Sequence, residues 1–589
     1  MNTTESAAAD LSPRLQRLSR NFLGAILLTS LVLPLARAQS GVAENIIAPE
    51  DTAACQACHG DKTTPDTPFA DAKALAASPH KDLKCQDCHY SINAYPHTKE
   101  MTAAKADCAL CHDAESQAFA KGVHAGTDKF EGDHPSCLAC HAPKDPHAVM
   151  ATSEWTRKDK ALLCSECHAN ADRMNRYGVD VDAVGSYNRS FHGKALLRFG
   201  MTDAAACTDC HGSHGVLAST NPTAPTHRNN AAKTCGQTGC HEGAKVNFAM
   251  SGANHLDLKI DKSAVLRYEL LFFKVFVFGT LAFLMTGVGL DLRRKVFGPH
   301  PPRSGRLVAA LTGISFLFIA ATILLATLHK PGPLYCFITA AVLLIIAFAV
   351  YFAKRGSPAE TGEERHFERL TLQYRLQHGI MAVAFTVLAV TGLPQRFYEA
   401  AWLAKVYIVF GGLGGARIAH RAAAVALILV WLWHLAYIIG RWKRSGWSMK
   451  VLTMLPNLTD LRHFAETSKY YLGLTKTEPK YGRFSFREKM DYLAEYWGMP
   501  VMVLSGIVLW APIFWGNRLP EVALSFAYIA HSYEATLAFL SIVTWHMYGA
   551  HLNPDSFPMN PVWLTGKLSR EQMAREHAAE LEEMERKVA

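Results

Sequence analysis

The sequence predicts a chain of two unlike parts: an N-terminal part of short helices and loops with little sheet, and a C-terminal all-α membrane part of seven helices. Two observations predict this division. Fourteen of the fifteen cysteines fall between residues 55 and 240, in a segment poor in long apolar runs. From about residue 265 onward the chain contains seven apolar runs of roughly the 20 residues that cross a bilayer as a helix.

The first 38 residues predict a secretory signal peptide. Three arginines precede the apolar run 22–36, which ends at Ala36-Arg37-Ala38, a small-x-small cleavage pattern. The alternative is an uncleaved anchor helix, although the apolar run is short for a span. Under either interpretation we expect residues 39–260 to lie outside the cytoplasmic membrane, in the periplasm of a bacterium.

The cysteines form seven pairs, each followed directly by a histidine. Six pairs read C-x-x-C-H, the attachment signature of c-type haem, and the seventh, Cys235 to His241, has four residues between its cysteines. Two thiols attach one porphyrin, and the histidine that follows is its proximal iron ligand. The seventh pair is alternatively a disulfide loop or half of a metal site, but no other pair remains to complete a zinc site.

The sequence therefore predicts seven c-type haems. The predicted attachment cysteines are Cys55, Cys58, Cys85, Cys88, Cys108, Cys111, Cys137, Cys140, Cys164, Cys167, Cys207, Cys210, Cys235 and Cys240. The predicted proximal ligands are His59, His89, His112, His141, His168, His211 and His241. So short a segment cannot build an ordinary core, and we expect a haem-packed multihaem cytochrome c over residues 39–260, with neighbouring haems forming a path for electrons.

Nine further histidines could supply the sixth iron ligands. We favour His80, His97, His124, His147, His192, His214 and His255, with His134 and His227 in reserve. The alternative for any one of them is a surface histidine. The sequence does not pair them with particular irons.

The charges between the apolar runs predict the topology. The predicted spans are 266–290, 306–328, 334–352, 372–394, 416–440, 495–515 and 525–549, numbered helix 1 to helix 7. Lysine and arginine concentrate in every second connection, as expected for cytoplasmic loops, which also places the C-terminus in the cytoplasm. The net charge of +9 is thus partly a topology signal and not an indication of nucleic acid.

Five histidines lie inside these spans, where ionisable residues are costly and usually functional. His420 and His434 lie on helix 5, His531 and His546 on helix 7, and His378 on helix 4. Residues 14 or 15 positions apart return to within about 40–60° of the same helix face, about 21 Å deeper. His420 and His531 could therefore hold one haem b near the outer surface. His546 could hold a second with either His378 or His434, and the alternative is packed polar histidines without metal.

The layout of these histidines, the R-x-x-H starts, the TGLP sequence and the tail 546–577 resemble the dihaem cytochrome b subunits of formate dehydrogenases and nickel-iron hydrogenases. The resemblance covers about residues 370–580. It implies a four-helix dihaem bundle with ligands His378, His420, His531 and His546, and His434 departs from that pattern. The domains are then 1–38, 39–260, 261–370 with three spanning helices, and 371–589 with the dihaem bundle. Helices 1 to 3 are interpreted as an anchor or partner surface, and Cys336 as a packed thiol.

The whole arrangement resembles inner-membrane quinol-oxidising cytochromes of metal-reducing bacteria. This resemblance implies a (mena)quinol oxidoreductase with two b-type and seven c-type haems, which serves the quinone pool and a periplasmic cytochrome or other redox partner. It also implies a quinone pocket near His546, with His551 and Asn553 as hydrogen-bonding groups; capping or interface roles are the alternative for these two. Two other functions stay open: electron transfer from a periplasmic donor to quinone, and reduction of a small nitrogen or sulfur oxyanion.

Overall fold

The computed structural model describes residues 52–62, 67–92, 97, 101, 106–126, 134–252, 255–298, 304–327, 333–354 and 366–588. The predicted signal peptide, 1–38, lies outside these residues. The described residues belong to two compact units, one drawn from 1–70 and 83–107 and the other from 71–82 and 108–589. Each unit is described by itself.

The first unit contains two short helices, Thr52–His59 and Cys85–Cys88. The second of them begins at a cysteine because the Asp87 carboxylate accepts a hydrogen bond from the Lys84 backbone N–H at 2.7 Å. A carboxylate in this position satisfies one of the backbone donors that a helix start leaves unpaired.

The cysteine-rich residues of the second unit also form short helices joined by loops. Capping explains where they begin: Thr156 and Asp159, for example, bond reciprocally to each other's backbone N–H groups ahead of the helix that carries Cys164. The α-helices are Ala72–Ala76, Asp113–Ala120, Cys137–His141, Arg157–His168, Ala171–Tyr177, Ala183–Arg189, Phe191–Leu197, Cys207–His211, Arg228–Cys235, Val246–Ala249 and Leu256–Lys262, with 3-10 turns at Cys108–Leu110, Val123–Ala125 and Thr152–Glu154.

The second unit continues into seven long helices. Within the described residues, seven helices are long and apolar enough to cross a membrane, which confirms the seven predicted spans. They are helix 1, Ala264–Phe297; helix 2, Arg306–Thr327; helix 3, Pro333–Lys354; helix 4, Leu372–Arg396; helix 5, Leu413–Arg444; helix 6, Phe486–Trp510; and helix 7, Ala523–Ser541, which continues through two π-helical turns, Ile542–His546 and Tyr548–Leu552.

Helix 6 differs most from its predicted span, 495–515. It begins nine residues earlier, because Ser485 and Glu488 form a capping box ahead of a polar first turn. It ends at Trp510, and Pro512 starts a separate helix, Pro512–Gly516. The residue before a proline avoids the helical conformation, so the apolar run is divided in two. The other connecting helices are Ala401–Ala404, Lys405–Phe410, Met449–Val451 and Leu458–Leu472.

The cysteine-rich residues of the second unit pack against one end of the spanning helices, here called the docked end. A small core of alanines around Leu196 continues into Leu413 and Ala416 at the start of helix 5. The Lys194 ammonium donates a hydrogen bond to the Tyr528 hydroxyl at 2.9 Å. The starts of helices 1, 5 and 7 and the ends of helices 4 and 6 lie at the docked end.

The opposite end of the helices, the far end, carries a two-stranded antiparallel sheet. Strand β1, His366–Glu368, pairs with β2, Lys567–Ser569, in the register Phe367 to Leu568. Phe367, Leu568 and Met573 form its core with Leu581. The helices of this region are Val562–Thr565, Arg570–Glu576 and Ala578–Val588.

Helices 4 to 7 form pairs, with helix 4 against helix 5 and helix 6 against helix 7. Helix 1 packs along helix 7, where Leu266 and Phe273 contact Ala530. Helices 2 and 3 pack on each other, with the Ser315 hydroxyl donating to the Ala340 carbonyl at 3.1 Å.

Candidate haem and electron-transfer sites

The motif cysteines lie on or beside single helical turns. Cys137–His141 and Cys207–His211 are helices made of the motif alone, and Cys164 and Cys167 lie in the last turn of Arg157–His168. Residues three apart on a helix lie one above the other on the same face. This local structure presents two sulfurs side by side, as attachment of one porphyrin requires.

The longer seventh motif keeps the backbone anchor of the shorter ones. The histidine N–H of two other motifs bonds to the carbonyl of the first cysteine, at 2.8 Å for His89 and 2.9 Å for His112. In the seventh motif the His241 N–H bonds to the Cys235 carbonyl at 3.0 Å. Within the longer loop, Gly239 takes φ +80°, a conformation that favours glycine. Despite two additional residues, the seventh motif therefore keeps the same backbone hydrogen bond between its histidine and its first cysteine as the shorter motifs.

Motif histidines face other histidines across a nearly constant distance. An iron ligated by two imidazoles, with ~2 Å to each nitrogen and the ring centre about 1 Å beyond, separates the ring centres by about 6 Å. In the first unit, the His59 and His97 ring centres lie 5.7 Å apart. In the second unit the pairs are His80 and His112 at 6.0 Å, His124 and His168 at 6.1 Å, His141 and His214 at 6.0 Å, His192 and His241 at 5.8 Å, and His211 and His255 at 6.5 Å.

Each of these six pairs joins one predicted proximal ligand to one favoured distal ligand. Of the remaining distal candidates, His147 lies with its Nδ1 3.4 Å from an Asp145 carboxylate oxygen. The reserve candidate His134 packs on Tyr177 at 5.8 Å, and the reserve His227 caps a helix by accepting the Asn229 N–H at 3.2 Å. Helix capping accounts for His227 without a metal.

Burial favours the neutral form of three of the paired imidazoles. It lowers the pKa of His168, of His211 and of His255, since water no longer solvates the charged ring. A neutral imidazole has a free nitrogen lone pair, which is the form that binds metal. The pairs therefore fit iron ligation in chemistry as well as in spacing.

Toward the docked end of the membrane part, His420 of helix 5 faces His531 of helix 7, with ring centres 6.4 Å apart. The Nδ1 of His420 lies 2.8 Å from the Thr391 hydroxyl, and the Nδ1 of His531 lies 3.0 Å from the Ser505 hydroxyl. Each hydroxyl donates to a carbonyl of its own helix and so accepts from the ring N–H. The Nε2 atoms of both rings remain for a metal.

Glycines leave room beside both rings. A Cβ added at Gly392 would lie 3.3 Å from His420, and one at Gly506 would lie 3.3 Å from His531. Helices 4 and 6 thus each contribute a hydroxyl residue followed by a glycine to one of the two histidines.

Toward the far end, His546 faces His378 with ring centres 6.2 Å apart. The Nδ1 of His546 lies 3.2 Å from an Asp491 carboxylate oxygen. His434 lies elsewhere: its Nδ1 is 2.9 Å from the Gln377 amide oxygen and its Nε2 is 3.1 Å from the Tyr492 hydroxyl. Both nitrogens of His434 are engaged by protein groups, and the structure brings His378 to His546 instead.

A π-helical turn explains the 15-residue spacing of His531 and His546. A π turn closes hydrogen bonds over five residues and so takes up one residue more than an α turn. The turn at Ile542–His546 lies between the two histidines and absorbs the additional residue. Both histidines can therefore point into the same bundle from opposite ends of helix 7.

His551 and Asn553, the two residues predicted to line a quinone pocket, lie at the far end. The Asn553 amide donates to the Asp291 carboxylate of helix 1 at 3.2 Å, and Tyr548 donates to the same carboxylate. The His551 ring lies 6.3 Å from that of Trp563. The bond between Asn553 and Asp291 ties helix 7 to helix 1, as in the alternative interface interpretation.

The seventh motif lies at the docked end, beside helices that carry the His420 and His531 pair. The Asn517 side chain, between helices 6 and 7, accepts the Lys245 N–H at 2.7 Å and donates to the Gly243 carbonyl at 2.9 Å. Phe248 packs on His241 at 5.0 Å, and a Cβ at Gly516 would lie 3.0 Å from Phe248. Beyond the position of Cys235 to His241 as the last motif before helix 1, no sequence signal identifies these junction residues.

Phe191, which precedes the His241 partner His192, packs under the Arg417 guanidinium of helix 5 at 5.6 Å. Arg417 is three residues from His420, about one helical turn. Residues next to both members of the His192 and His241 pair therefore contact the membrane part.

The C-terminal part of the chain is similar to known proteins. Residues 369–555 match the family model described as prokaryotic cytochrome b561. The formate dehydrogenase cytochrome b556(fdo) subunit of Escherichia coli strain K12 is 24% identical over 188 residues, which are 31% of this chain and 77% of that subunit. The same subunit from the O6:H1 and O157:H7 strains matches to the same extent.

The family match includes both facing histidine pairs of the membrane part and excludes helices 1 to 3 and the cysteine-rich residues. It confirms the resemblance to formate dehydrogenase b subunits in this region. The match and the seven apolar helices support a multi-pass membrane protein whose residues 369–555 are similar to b-type electron-transfer cytochromes.

Proposed function

We propose that this chain is a quinol oxidoreductase of the bacterial inner membrane. It takes electrons from (mena)quinol in the membrane part and passes them to a periplasmic cytochrome or other acceptor. The observation that carries the proposal is the series of facing histidine pairs, two within the membrane bundle and six among the cysteine motifs. When bound, two b-type and seven c-type haems would each carry one electron.

The residues that would hold the b haems are His420 with His531, and His378 with His546. Thr391 and Ser505 orient the first pair by accepting their Nδ1 protons, and Asp491 does the same for His546. Thioethers at the fourteen motif cysteines, including Cys235 and Cys240, would hold the c haems. We assign residues 39–260 to the periplasm and the C-terminus to the cytoplasm.

The junction at His241 supports an ordered path. Residues beside the His192 and His241 pair contact the membrane part: Phe191 packs on Arg417 of helix 5, and the backbone of Gly243 and Lys245 bonds to Asn517 between helices 6 and 7. Electrons leaving the His420 and His531 site would therefore enter the cysteine-rich part at its seventh motif.

The paired histidines favour electron transfer over the reductase alternative. A reductase needs an iron with one open position for its substrate. Among the described residues, six motif histidines lie opposite a second imidazole at the ring-centre distance expected when both rings ligate one iron.

The test is reduction of the purified full-length protein by a menaquinol analogue, with b-type and c-type absorbance followed separately. We expect quinol to reduce both haem types. The His531→Ala variant should lose quinol reduction of c haems while dithionite still reduces them, and His434→Phe should match the wild type. Unchanged c-haem reduction in His531→Ala would contradict the path, and faster transfer from pre-reduced protein to quinone would favour the reverse direction.

A further inference from the structure

A cavity of about 450 Å³ opens at the docked end of the membrane part, between helices 1, 6 and 7. Small-molecule sites in proteins occupy about 300–1,000 Å³ and combine apolar walls with a few polar groups. Here the apolar walls include Phe272 and Phe273 of helix 1, Val501 of helix 6, and Phe526 and Ala530 of helix 7. Glu269 of helix 1 contributes the carboxyl group.

Glu269 is buried without a protein partner. It is 7% exposed, and within the part of the chain that the structure describes neither of its carboxyl oxygens has a hydrogen-bond donor. Burying a carboxyl group without a hydrogen bond is costly, and ionisable groups inside membrane spans usually serve a function. The position therefore calls for a ligand that brings a donor.

The cavity borders the helical turn that carries His531. Ala530, the preceding residue, lines the cavity and packs against Leu266 and Phe273 of helix 1. The Phe273 ring also lies 6.2 Å from the ring of Tyr533. A ligand in the cavity would thus contact helix 7 one residue before His531, a member of the site formed by His420 and His531.

We propose that this cavity is a quinol site in which the Glu269 carboxylate accepts a hydrogen bond from a quinol hydroxyl. The inference rests on the proposed quinol oxidation and gives it a location whose carboxyl group, Glu269, lies outside the residues 369–555 matched by the cytochrome b561 family. It also assigns a function to helix 1, whose sequence alone indicates an anchor or partner surface.

Oxidation at this site balances without a further reactant. Each quinol loses two electrons and two protons and becomes quinone. The electrons leave one at a time through the site of His420 and His531 to the periplasmic acceptor. Each O–H bond that breaks on the quinol is replaced by one on Glu269, which releases the protons in succession to water at the docked end. Glu269 lies five residues from the start of helix 1, about 7 Å along its axis.

The side of the cavity that faces lipid suits a carrier dissolved in the bilayer. Tyr268 and Val265 at its edge are 74% and 56% exposed, so an isoprenoid tail could remain in the lipid while the headgroup enters. A lipid acyl chain or an apolar helix of another protein would fill the same space but would leave the Glu269 carboxyl without a donor. The carboxyl thus favours quinol.

The first test compares two conservative variants of the full-length protein. Glu269→Gln should slow quinol reduction of the haems about tenfold to a hundredfold, the effect of losing a hydrogen bond to a charged group. Haem content and reduction by dithionite should not change. The control is Glu534→Gln, because Glu534 is a second buried carboxyl, on helix 7, and is not part of the cavity lining. Wild-type rates in Glu269→Gln, or equal losses in both variants, would overturn the proposal.

The second test needs no variant. Wild-type protein is photolabelled with an azido-quinone, and the labelled peptides are identified by mass spectrometry. Labelling within 264–276 or 523–530 is expected, and excess unlabelled quinone should suppress it. Labelling only at the far end, or labelling that excess quinone does not suppress, would overturn the site. If quinol does not reduce the wild-type haems at all, the proposed function fails. Normal wild-type reduction with an unaffected Glu269→Gln variant rejects only this site.

Discussion

Replacing Ser505 with alanine is expected to raise the midpoint potential of the haem b held by His420 and His531. The Ser505 hydroxyl accepts the Nδ1 proton of His531 at 3.0 Å, since its own proton goes to the Val501 carbonyl. An acceptor on Nδ1–H makes the imidazole a stronger electron donor, which stabilises oxidised iron relative to reduced iron. Removal of the acceptor therefore favours the reduced state.

The size of the shift follows from the energy of one hydrogen bond. A buried hydrogen bond contributes about 0.5–1.5 kcal/mol, and a one-electron potential moves by about 59 mV per tenfold change in equilibrium constant, or about 1.4 kcal/mol. The expected rise is therefore about 20–60 mV if the bond acts mainly on the oxidised state.

The assay is a potentiometric titration of the b-type absorbance in the purified full-length protein. Ser532→Ala is the matched control, because the Ser532 hydroxyl lies next to His531 in sequence but donates to the Ile529 carbonyl at 3.2 Å. The control should leave both b potentials unchanged. An unchanged or lower midpoint potential in Ser505→Ala, or an equal shift in Ser532→Ala, would contradict the proposed effect of the Ser505 hydroxyl on His531.

Three further predictions concern ligands and stability. By pyridine haemochrome spectra, the His434→Phe protein should retain two b haems and the His378→Ala protein one. Equal b-haem content in the two variants would contradict the assignment of His378 and His546 as ligands of one haem. Cys240→Ser should remove one of the two thioethers at the seventh motif, so that the denatured chain retains at most a single thioether there. A pyridine haemochrome spectrum identical to that of the wild type would indicate that the seventh motif holds no haem. Burial, with the Arg369 guanidinium nearby, lowers the pKa of His577. The folded state, in which His577 is neutral, is therefore most stable above pH ~6.5 and loses stability as the pH falls through the lowered pKa of the folded protein. His577→Gln should make the melting temperature depend less on pH over this range.

Spacing in the sequence predicts the parts of this molecule whose chemistry is local. A C-x-x-C-H motif closes within one helical turn, and a 20-residue apolar run has few alternatives to a spanning helix. The positions of His420 and His531 follow from the regular rise of two helices. These features need no knowledge of tertiary contacts.

Features that depend on contacts between distant residues could not be predicted. The choice between His378 and His434 depends on Gln377 and Tyr492, which occupy the two nitrogens of His434. The distal histidines are separated from their partners by loops whose course the sequence does not specify. The π turns before and after Met547 likewise appear only when helix 7 is packed in its bundle.

The Glu269 cavity belongs to the same class. From sequence alone, a single glutamate near the start of an apolar run is expected to lie at the membrane surface. The packing of helices 1, 6 and 7 instead buries Glu269. Helix 1 is outside the region with a family match, so only its packing indicates a function.

Haem content by type is the decisive measurement for the proposed electron path, from alkaline pyridine spectra together with the intact mass of the mature chain. We expect seven covalently attached c-type haems and two b-type haems per chain. Six c-type haems would leave the seventh motif without a haem and remove the proposed junction at His241. Absence of b-type haem would contradict the proposed electron path from quinol altogether.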